Sequence, residues 1–347
     1  MLIGDGFHWR QSLEAQLPGE VRVLSKTGEA DGGTDPGITL VNRLPLETYL
    51  ECVVGSEMNP AAPMEFLKAH AVISRSWVWG KISGTHRQGR EGAVEEDSRL
   101  VGWDDTAAHH GFHVCSDDHC QRYQGLQPIA PAALEAIRQT AGEVLLSPSG
   151  KVVDARFSKC CGGHTEVFES CWQSTHEECL EGFEDPWCDL SGMPAAEKSR
   201  LLESVLKDYD LATDNYGYRW RTSISKSDVR RNLREKFGRD VGRIQSLEVL
   251  HRGPSGRADR LLIRGSAGSL ELGKELWIRR LLSDSHLYSS AFTVSDSDQE
   301  FILDGRGWGH GVGLCQIGAA NMACHGFSYR DILSFYYPSS SVGYSLP

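Results

Sequence analysis

Glu57 is the residue whose surroundings best suit acid–base chemistry. It follows an apolar helical pattern and the pair Gly55-Ser56. A carboxyl group held among apolar neighbours has its charged form disfavoured, so its pKa rises and it can donate a proton near neutrality. The plainer interpretation is a glutamate that caps a helix or is exposed, and the residue type alone favours it, since Asp and Glu together number 47 in this chain.

Two cations follow Glu57. Lys68 and Arg75 are seven positions apart and therefore lie on nearly the same face of a helix. Beside one glutamate, such a pair can bind a substrate carboxylate and assist developing negative charge. Solvated surface cations are the alternative interpretation.

A glycine-rich segment occupies residues 304–319, with five glycines in positions 305–313. It lacks the strand–helix start in a βαβ unit and the downstream acidic residue that a dinucleotide-binding loop needs. Glycines at alternate positions let a backbone approach a ligand or another strand closely. Arg306, Trp308 and His310 would project from it as a cation, a flat stacking surface and a titratable donor. Such a set suits a sugar; a purely structural tight turn is the alternative.

Cysteine and histidine cluster within twelve residues, at His109, His110, His113, Cys115, His119 and Cys120. Zinc takes Cys and His ligands at short loop spacings, so this cluster can supply three of four ligands. Cys160 or Cys161 can complete the set. Ten cysteines, an even count, also fit disulfides in an exported protein. A Cys115–Cys120 disulfide or free thiols remain the alternative, and we expect the cysteines at 171, 179 and 188 to be bridged or free.

Periodicity predicts the elements that position these residues. Prolines 45 and 63 suit the first turns of two helices, ending near residues 55 and 81. Residues 1–43 read as an N-terminal β segment, 83–125 as a Cys/His-rich insertion and 158–195 as irregular. Further helices are expected at 131–141, 197–209, 227–237, 273–282 and 314–325. Strands are expected at about 143–157, 244–251 and 260–264. The mixture predicts an α+β fold with mixed sheets and a helical catalytic segment.

Composition excludes some functions. The formal net charge of −11 argues against a nucleic-acid partner, which needs a basic face. No run of eighteen apolar residues occurs, so no transmembrane segment is expected. The first residues show neither a basic segment nor an apolar one, so no signal peptide is visible.

Several segments together resemble the SpoIID/LytB family, in order and spacing, from about residue 40 to 340. They are 44–50 (LPLETYL), 56–58 (SEM), 67–71 (LKAHA) with Arg75, 161–166 (CGGHTE), 307–313 (GWGHGVG) and the stretch from Gln316 to Ala319. The resemblance implies a SpoIID-like two-lobed architecture, with residues 44–347 as the catalytic region. Ser74-Arg75-Ser76-Trp77 is bulkier and more polar than the family pattern, which leaves fine substrate specificity open.

The resemblance implies a peptidoglycan lytic transglycosylase in which Glu57 acts as acid and then as base. Peptide-stripped glycan strands would be cleaved between N-acetylmuramic acid and N-acetylglucosamine, leaving 1,6-anhydro ends. Substrate contacts would come from Lys68, Arg75, Arg306, Trp308, His310 and Gln316. The site would lie outside the cytoplasm, where peptidoglycan is.

The resemblance also implies a structural zinc ion that the chemistry does not need. Cys115, His119 and Cys120 match a zinc-binding segment of the family, with His109 or His113 as the further ligand. Two other functions stay open. One is a non-catalytic wall-binding module that stimulates an N-acetylmuramoyl-L-alanine amidase. The other is a zinc-dependent hydrolase, for which no carboxylate base lies at motif spacing.

Overall fold

A computed structural model places most of the chain. It describes residues 2–3, 11–12, 14–25, 38–59, 61–84, 93–103, 109, 111–116, 120–126, 131–206, 210 and 214–344. No helix among these residues is both long and apolar enough to cross a membrane.

The helices are short except for the second. They are α1 (Leu46–Glu57), α2 (Met64–Ile82), α3 (Pro131–Gln139), α4 (Ala195–Val205), α5 (Lys226–Phe237), α6 (Glu275–Leu281), α7 (Gln316–Cys324) and α8 (Tyr329–Tyr336).

The strands are distributed along the whole chain. They are β1 (Leu2–Ile3), β2 (Gln11–Ser12), β3 (Glu20–Ser25), β4 (Ile38–Arg43), β5 (Val94–Glu96), β6 (Arg99–Val101), β7 (Glu143–Leu146), β8 (Phe157–Ser158), β9 (Arg219–Ser225), β10 (Ile244–Arg252), β11 (Ala258–Gly265), β12 (Gly268–Gly273), β13 (Phe292–Asp296), β14 (Glu300–Arg306), β15 (Leu314–Cys315) and β16 (Ser341–Tyr344).

Helix α2 lies at the centre of the first hydrophobic cluster. Nearly every side chain from Phe66 to Val78 is buried, including the polar ones, so the helix is covered on all sides. It packs against α1, α3, β7, α7 and α8. Pro45 and Pro63 lie at the N-cap positions, immediately before α1 and α2, where a missing backbone N–H costs nothing.

A second hydrophobic cluster is formed mainly by residues 220–303. It lies among α5, α6, the sheet β10-β11-β12-β6-β5 and the sheet β13-β14-β9. The pairing of β6 with β12 is parallel, with Leu100 opposite Leu272. Part of the predicted insertion at 83–125 therefore completes a sheet of this second cluster.

The predicted α+β class is confirmed, with both helices and mixed sheets in the described chain. The predicted N-terminal β segment at 1–43 contains the antiparallel pair β3–β4. Periodicity missed β5, β6, β9, β12, β13, β15 and β16, which are short or mix polar with apolar positions. The domain boundary at residue 43 remains a prediction.

Candidate functional site

Glu57 is the last residue of α1, whereas the sequence predicted that the helix would stop two residues earlier. Its side chain is largely buried, at 7% exposure. The Glu57 Oε1 atom accepts a hydrogen bond from the backbone N–H of Arg122 at 2.9 Å. The carboxyl group is therefore held in one orientation by a segment 65 residues further along the chain.

The segment from Cys120 to Gln124 crosses α1 and α2. The Tyr49 hydroxyl donates to Gln121 Oε1 at 3.2 Å, and Gln121 Nε2 donates to the backbone carbonyl of Ser74 at 3.3 Å. The Tyr49 and Tyr123 rings stack with their centroids 5.7 Å apart. Gln121 thus ties both helices together, and this fixes the amide that binds Glu57.

His109, Cys115 and Cys120 form what we call the outer ligand group. One ligand atom from each lies within 4.8 Å of the others, and all three residues are half-buried. The backbone N–H of Cys115 lies 3.4 Å from Cys120 Sγ, and His109 Nε2 lies 3.8 Å from it. His109 Nδ1 lies 3.2 Å from the His113 carbonyl, which leaves Nε2 available as the ligand atom.

The outer ligand group is connected to Glu57 through the chain, since Cys120 lies two residues before Arg122, whose backbone N–H binds Glu57. Burial first, and then Cys120, Cys115 and Glu57, raise the pKa of the Tyr49 hydroxyl well above its ordinary value. Burial, followed by Cys115, also raises the pKa of Cys120. Two sulfurs and one imidazole nitrogen fit zinc, which takes this donor set. His119, the further predicted ligand, lies outside the described residues.

None of the ten cysteines, all of which the structure describes, forms a disulfide, so the Cys115–Cys120 disulfide is not present. Cys161 does not complete the outer ligand group. It belongs to a second set with Asp185, Cys188 and Cys315, which we call the buried thiol cluster. Sequence spacing did not connect these four residues.

The two predicted cations lie in different surroundings. Lys68 is half-buried at the surface, where its ammonium group pairs with Glu65 at 2.6 Å. Arg75 is fully buried. Its Nε and Nη2 atoms donate to the Glu47 carboxylate at 2.7 and 2.8 Å, and Nη1 donates to the Glu143 carbonyl at 3.0 Å. Arg75 therefore holds α2 to α1 and β7 and presents no surface to a substrate, contrary to the prediction.

The glycine-rich turn packs on a buried arginine that the sequence did not single out. Arg257 is fully buried, and its Nε atom donates to the Gly309 carbonyl at 3.2 Å. A Cβ atom at Gly307 or Gly311 would lie 2.6 or 2.5 Å from the Arg257 guanidinium, and both glycines have positive φ. Gly307 and Gly311 are thus explained by a close approach to Arg257, for which no motif gave a signal. The other three glycines of the turn, 305, 309 and 313, instead approach Trp220, Ser158 and the Arg156 carbonyl.

Arg306 and Trp308 are half-buried on this turn. The Trp308 backbone pairs with Cys160, and its ring lies edge-on to Tyr288, with centroids 5.5 Å apart. Arg306 Nη2 donates to the Ser255 carbonyl at 2.8 Å. Burial, then Arg219 and Arg257, lower the pKa of Arg306. Both side chains keep part of their surface open to solvent.

His310 is a neutral imidazole, not the titratable group that we predicted. Burial, followed by Arg156 and Arg257, lowers its pKa well below the ordinary value. Its Nδ1 atom accepts the backbone N–H of Val312 at 3.0 Å, which places the ring proton on Nε2. Near neutral pH His310 can donate a hydrogen bond but carries no charge.

Gln316 is buried and joins the turn to α2. Its Nε2 atom lies 3.3 Å from His70 Nε2, and His70 Nδ1 lies 3.1 Å from the Ser74 hydroxyl. Burial lowers the pKa of His70 to about 3, so its Nε2 can accept the amide hydrogen of Gln316. The predicted substrate contact of Gln316 is replaced by this internal one, because its side chain faces the core.

Two family models match the chain. One, described as stage II sporulation protein, matches residues 34–146, and one described as a domain of unknown function (DUF8618) matches residues 166–313.

Curated relatives match over longer stretches. An uncharacterized protein of Brachyspira hyodysenteriae is 27% identical over 86% of this chain and 66% of its own length. The amidase enhancer of Bacillus subtilis is 27% identical over 60% of this chain and 32% of its own. The stage II sporulation protein D of the same species is 23% identical over 87% and 75%. The chain thus spans less than two thirds of the length of each of the first two relatives. The SpoIID match contains Glu57 and its surroundings, and together these matches support the SpoIID/LytB family for this chain.

Proposed function

We propose that this protein acts on the bacterial cell wall as a peptidoglycan lytic transglycosylase with Glu57 as its catalytic residue. The observation that carries the proposal is the nearly buried Glu57 carboxyl group, oriented by the Arg122 amide within the SpoIID-matching residues. An acid–base residue must be held in one position to transfer a proton efficiently.

The reaction needs one carboxyl group used twice. Protonated Glu57 gives its proton to the glycosidic oxygen as the bond from C1 of N-acetylmuramic acid to that oxygen breaks. The 6-hydroxyl of the same sugar then bonds to C1, and the Glu57 carboxylate takes the hydroxyl proton. Glu57 is protonated again at the end of the reaction, and no water molecule is consumed. A second carboxylate at nucleophile distance, which retaining glycosidases use, is not required.

The glycine-rich turn supplies groups that suit the substrate. The partly open face of Trp308 can stack on a pyranose ring. Arg306, Arg219 and Arg252 form a positively charged group, since Arg219 and Arg252 each interact electrostatically with Arg306. A strand without stem peptides exposes a lactyl carboxylate on each muramic residue. Positive charge at the turn would favour this stripped strand over a peptide-bearing one.

Zinc enters the proposal as a structural ion. His109, Cys115 and Cys120 would hold it, with His119 as a candidate fourth ligand. When bound, it would supply positive charge and rigidity to the stretch that ends in the Arg122 amide. Glu57 performs the proton transfers, so the ion is not needed for the chemistry.

Stimulation of an amidase is the second candidate function, because one relative is named amidase enhancer. In that case the protein would bind wall glycan without cleaving it and would act through an N-acetylmuramoyl-L-alanine amidase. Both functions place the protein outside the cytoplasm, since their substrate is there.

The deciding experiment is digestion of peptide-stripped peptidoglycan with products identified by mass spectrometry. Wild type, Glu57→Gln and Glu51→Gln are compared, Glu51 being a half-buried glutamate of the same helix. We expect anhydro-muramic ends from wild type and Glu51→Gln, and a loss on the order of 10²–10⁴-fold in Glu57→Gln.

Other results would redirect the assignment. Reducing ends in place of anhydro ends would mean hydrolysis. Glycan binding without new ends, together with equal stimulation of an amidase by wild type and Glu57→Gln, would establish the second function. Loss of cleavage on chelation, in protein that stays folded by circular dichroism, would instead favour a zinc-dependent hydrolase.

A further inference from the structure

We propose that the buried thiol cluster of Cys161, Asp185, Cys188 and Cys315 is a second metal site, which binds a zinc-like divalent cation through three sulfurs and one carboxylate oxygen. The site would be structural. It is distinct from the outer ligand group, with which it shares no residue.

The spacing of the four ligand atoms fits one ion. All four residues are buried, and one ligand atom from each lies within 4.8 Å of the others. Cys161 Sγ lies 3.1 Å from Asp185 Oδ2. Tetrahedral zinc with sulfur at about 2.3 Å and oxygen at about 2.0 Å separates its ligand atoms by roughly 3.5–3.8 Å. Small side-chain movements would bring the four atoms to that separation.

The surroundings of Cys315 suit a negatively charged sulfur. Its Sγ atom accepts the backbone N–H of Cys161 at 3.3 Å and that of Gly318 at 3.4 Å. Hydrogen bonds to the charged form of a group favour that form, and metal-bound thiolates are tuned by such bonds. Two backbone N–H donors would stabilise a thiolate more than they would stabilise a neutral thiol in an apolar core.

Asp185 is oriented as a metal-binding carboxylate would be. Its Oδ1 atom accepts the backbone N–H groups of Trp187 and Cys188 at 3.0 and 3.3 Å. The Tyr336 hydroxyl donates to Oδ2 at 2.9 Å. These bonds direct Oδ2 toward Cys161. Buried carboxylates are normally paired or bound to metal, and a cation here would fulfil that requirement.

The ion would connect three distant parts of the chain. Cys161 follows β8. Asp185 is the N-cap residue of the 3-10 turn Pro186–Cys188, and Cys188 ends that turn. Cys315 is the N-cap residue of α7. Their link would fix the end of the glycine-rich turn against the irregular stretch 158–195. The function assigned to the site is therefore to hold the turn, whether or not the glycan is cleaved.

A disulfide is the competing chemistry. Cys160 Sγ lies 3.4 Å from Cys188 Sγ, whereas a disulfide needs about 2.05 Å. Oxidation of that pair would remove Cys188 from the site. The proposal requires Cys161, Cys188 and Cys315 to be reduced in the purified protein.

The test measures metal content of the full-length chain, purified without reductant and loaded with zinc. Wild type is compared with Cys161→Ser, Cys315→Ser and Cys120→Ser. Cys179→Ser is the matched control, a buried cysteine outside both groups. We expect Cys161→Ser and Cys315→Ser each to lose one equivalent of zinc relative to Cys179→Ser. Equal zinc in Cys315→Ser and Cys179→Ser would overturn the proposal.

A second measurement remains decisive if the Cys161 and Cys315 variants fail to fold. Cobalt is loaded into Cys120→Ser, in which the outer ligand group has lost a sulfur. We expect thiolate-to-cobalt charge-transfer absorption and an X-ray absorption spectrum with three sulfur neighbours and one oxygen. No bound cobalt, or a native mass showing a disulfide at Cys161, Cys188 or Cys315, would reject the site. These readouts do not depend on glycan cleavage.

Discussion

The outer ligand group and the buried thiol cluster differ in how the chain assembles them. The outer group comes from twelve consecutive positions and is half-buried beside Glu57. The buried cluster joins residues up to 154 positions apart and is closed to solvent. A half-buried ligand group near Glu57 can affect substrate binding directly. A ligand group that is closed to solvent can act only by stabilising the fold. The cysteines of the two groups would thus have different roles according to their place in the structure.

The largest effect is expected from Gly318→Ala, which disrupts only the buried cluster. A Cβ atom there would lie 2.1 Å from the Tyr336 hydroxyl and 2.8 Å from Asp185 Oδ2. Overpacking a filled core lowers the free energy of unfolding by about 1–3 kcal/mol. We expect Gly318→Ala to lie at the upper end of this range and to bind one zinc ion fewer than wild type. Gly192→Ala is the control, because open space surrounds it. Urea unfolding measures both variants; equal stability would contradict the packing described for the cluster.

A smaller effect is expected from Arg75→Met, which tests the scaffold beside Glu57. Breaking a buried ion pair costs about 3–5 kcal/mol. Glu47 is 39% exposed, so solvent screening reduces the expected loss to about 2 kcal/mol. The free energy of unfolding of Arg75→Lys should lie between those of wild type and Arg75→Met. Lysine keeps the positive charge but cannot form the bidentate hydrogen bonds that arginine makes with the Glu47 carboxylate. A raised KM for glycan with unchanged stability would instead restore the predicted substrate contact.

The smallest effect concerns the pH dependence of stability at His70 of α2, which contacts Gln316, the neighbour of Cys315 in the buried thiol cluster. Its pKa is lowered from 6.5 to about 3 by burial, so between these values the unfolded chain binds a proton that the folded chain does not. His70 therefore lowers stability by about 1.4 kcal/mol for each pH unit below 6.5.

Urea unfolding at pH 7, 6 and 5 measures this dependence. His70→Gln should show a shallower fall in stability than wild type, while the exposed His176→Gln should follow wild type. Identical slopes in wild type and His70→Gln would mean that His70 is not buried as a neutral ring.

Much of the helical framework was predictable because it depends on local patterns. Proline and apolar periodicity predicted α1 and α2 to within a few residues, and Glu57 was identified from its place just after the apolar helical pattern that became α1. The strands β6 and β12 were missed, and their parallel pairing joins segments more than 150 residues apart. Periodicity within a short window carries no information about such a partner.

Residue types alone left the role of each candidate open. Lys68 and Arg75 have the same charge and nearly the same helical face, yet one pairs at the surface and the other is enclosed by Glu47 and β7. Gln316 was expected to contact substrate and instead meets His70. Burial decided these differences, and burial depends on which segments pack together.

By itself the sequence determined the α+β class, the family and the position of Glu57, because these follow from short patterns and their order. Only the tertiary structure decided that Arg257 underlies the glycine-rich turn and that Cys161, Asp185, Cys188 and Cys315 meet. The physical reason is that such contacts are made by packing across long loops. The free energy of that packing is distributed over the whole core, so no single sequence motif predicts these contacts.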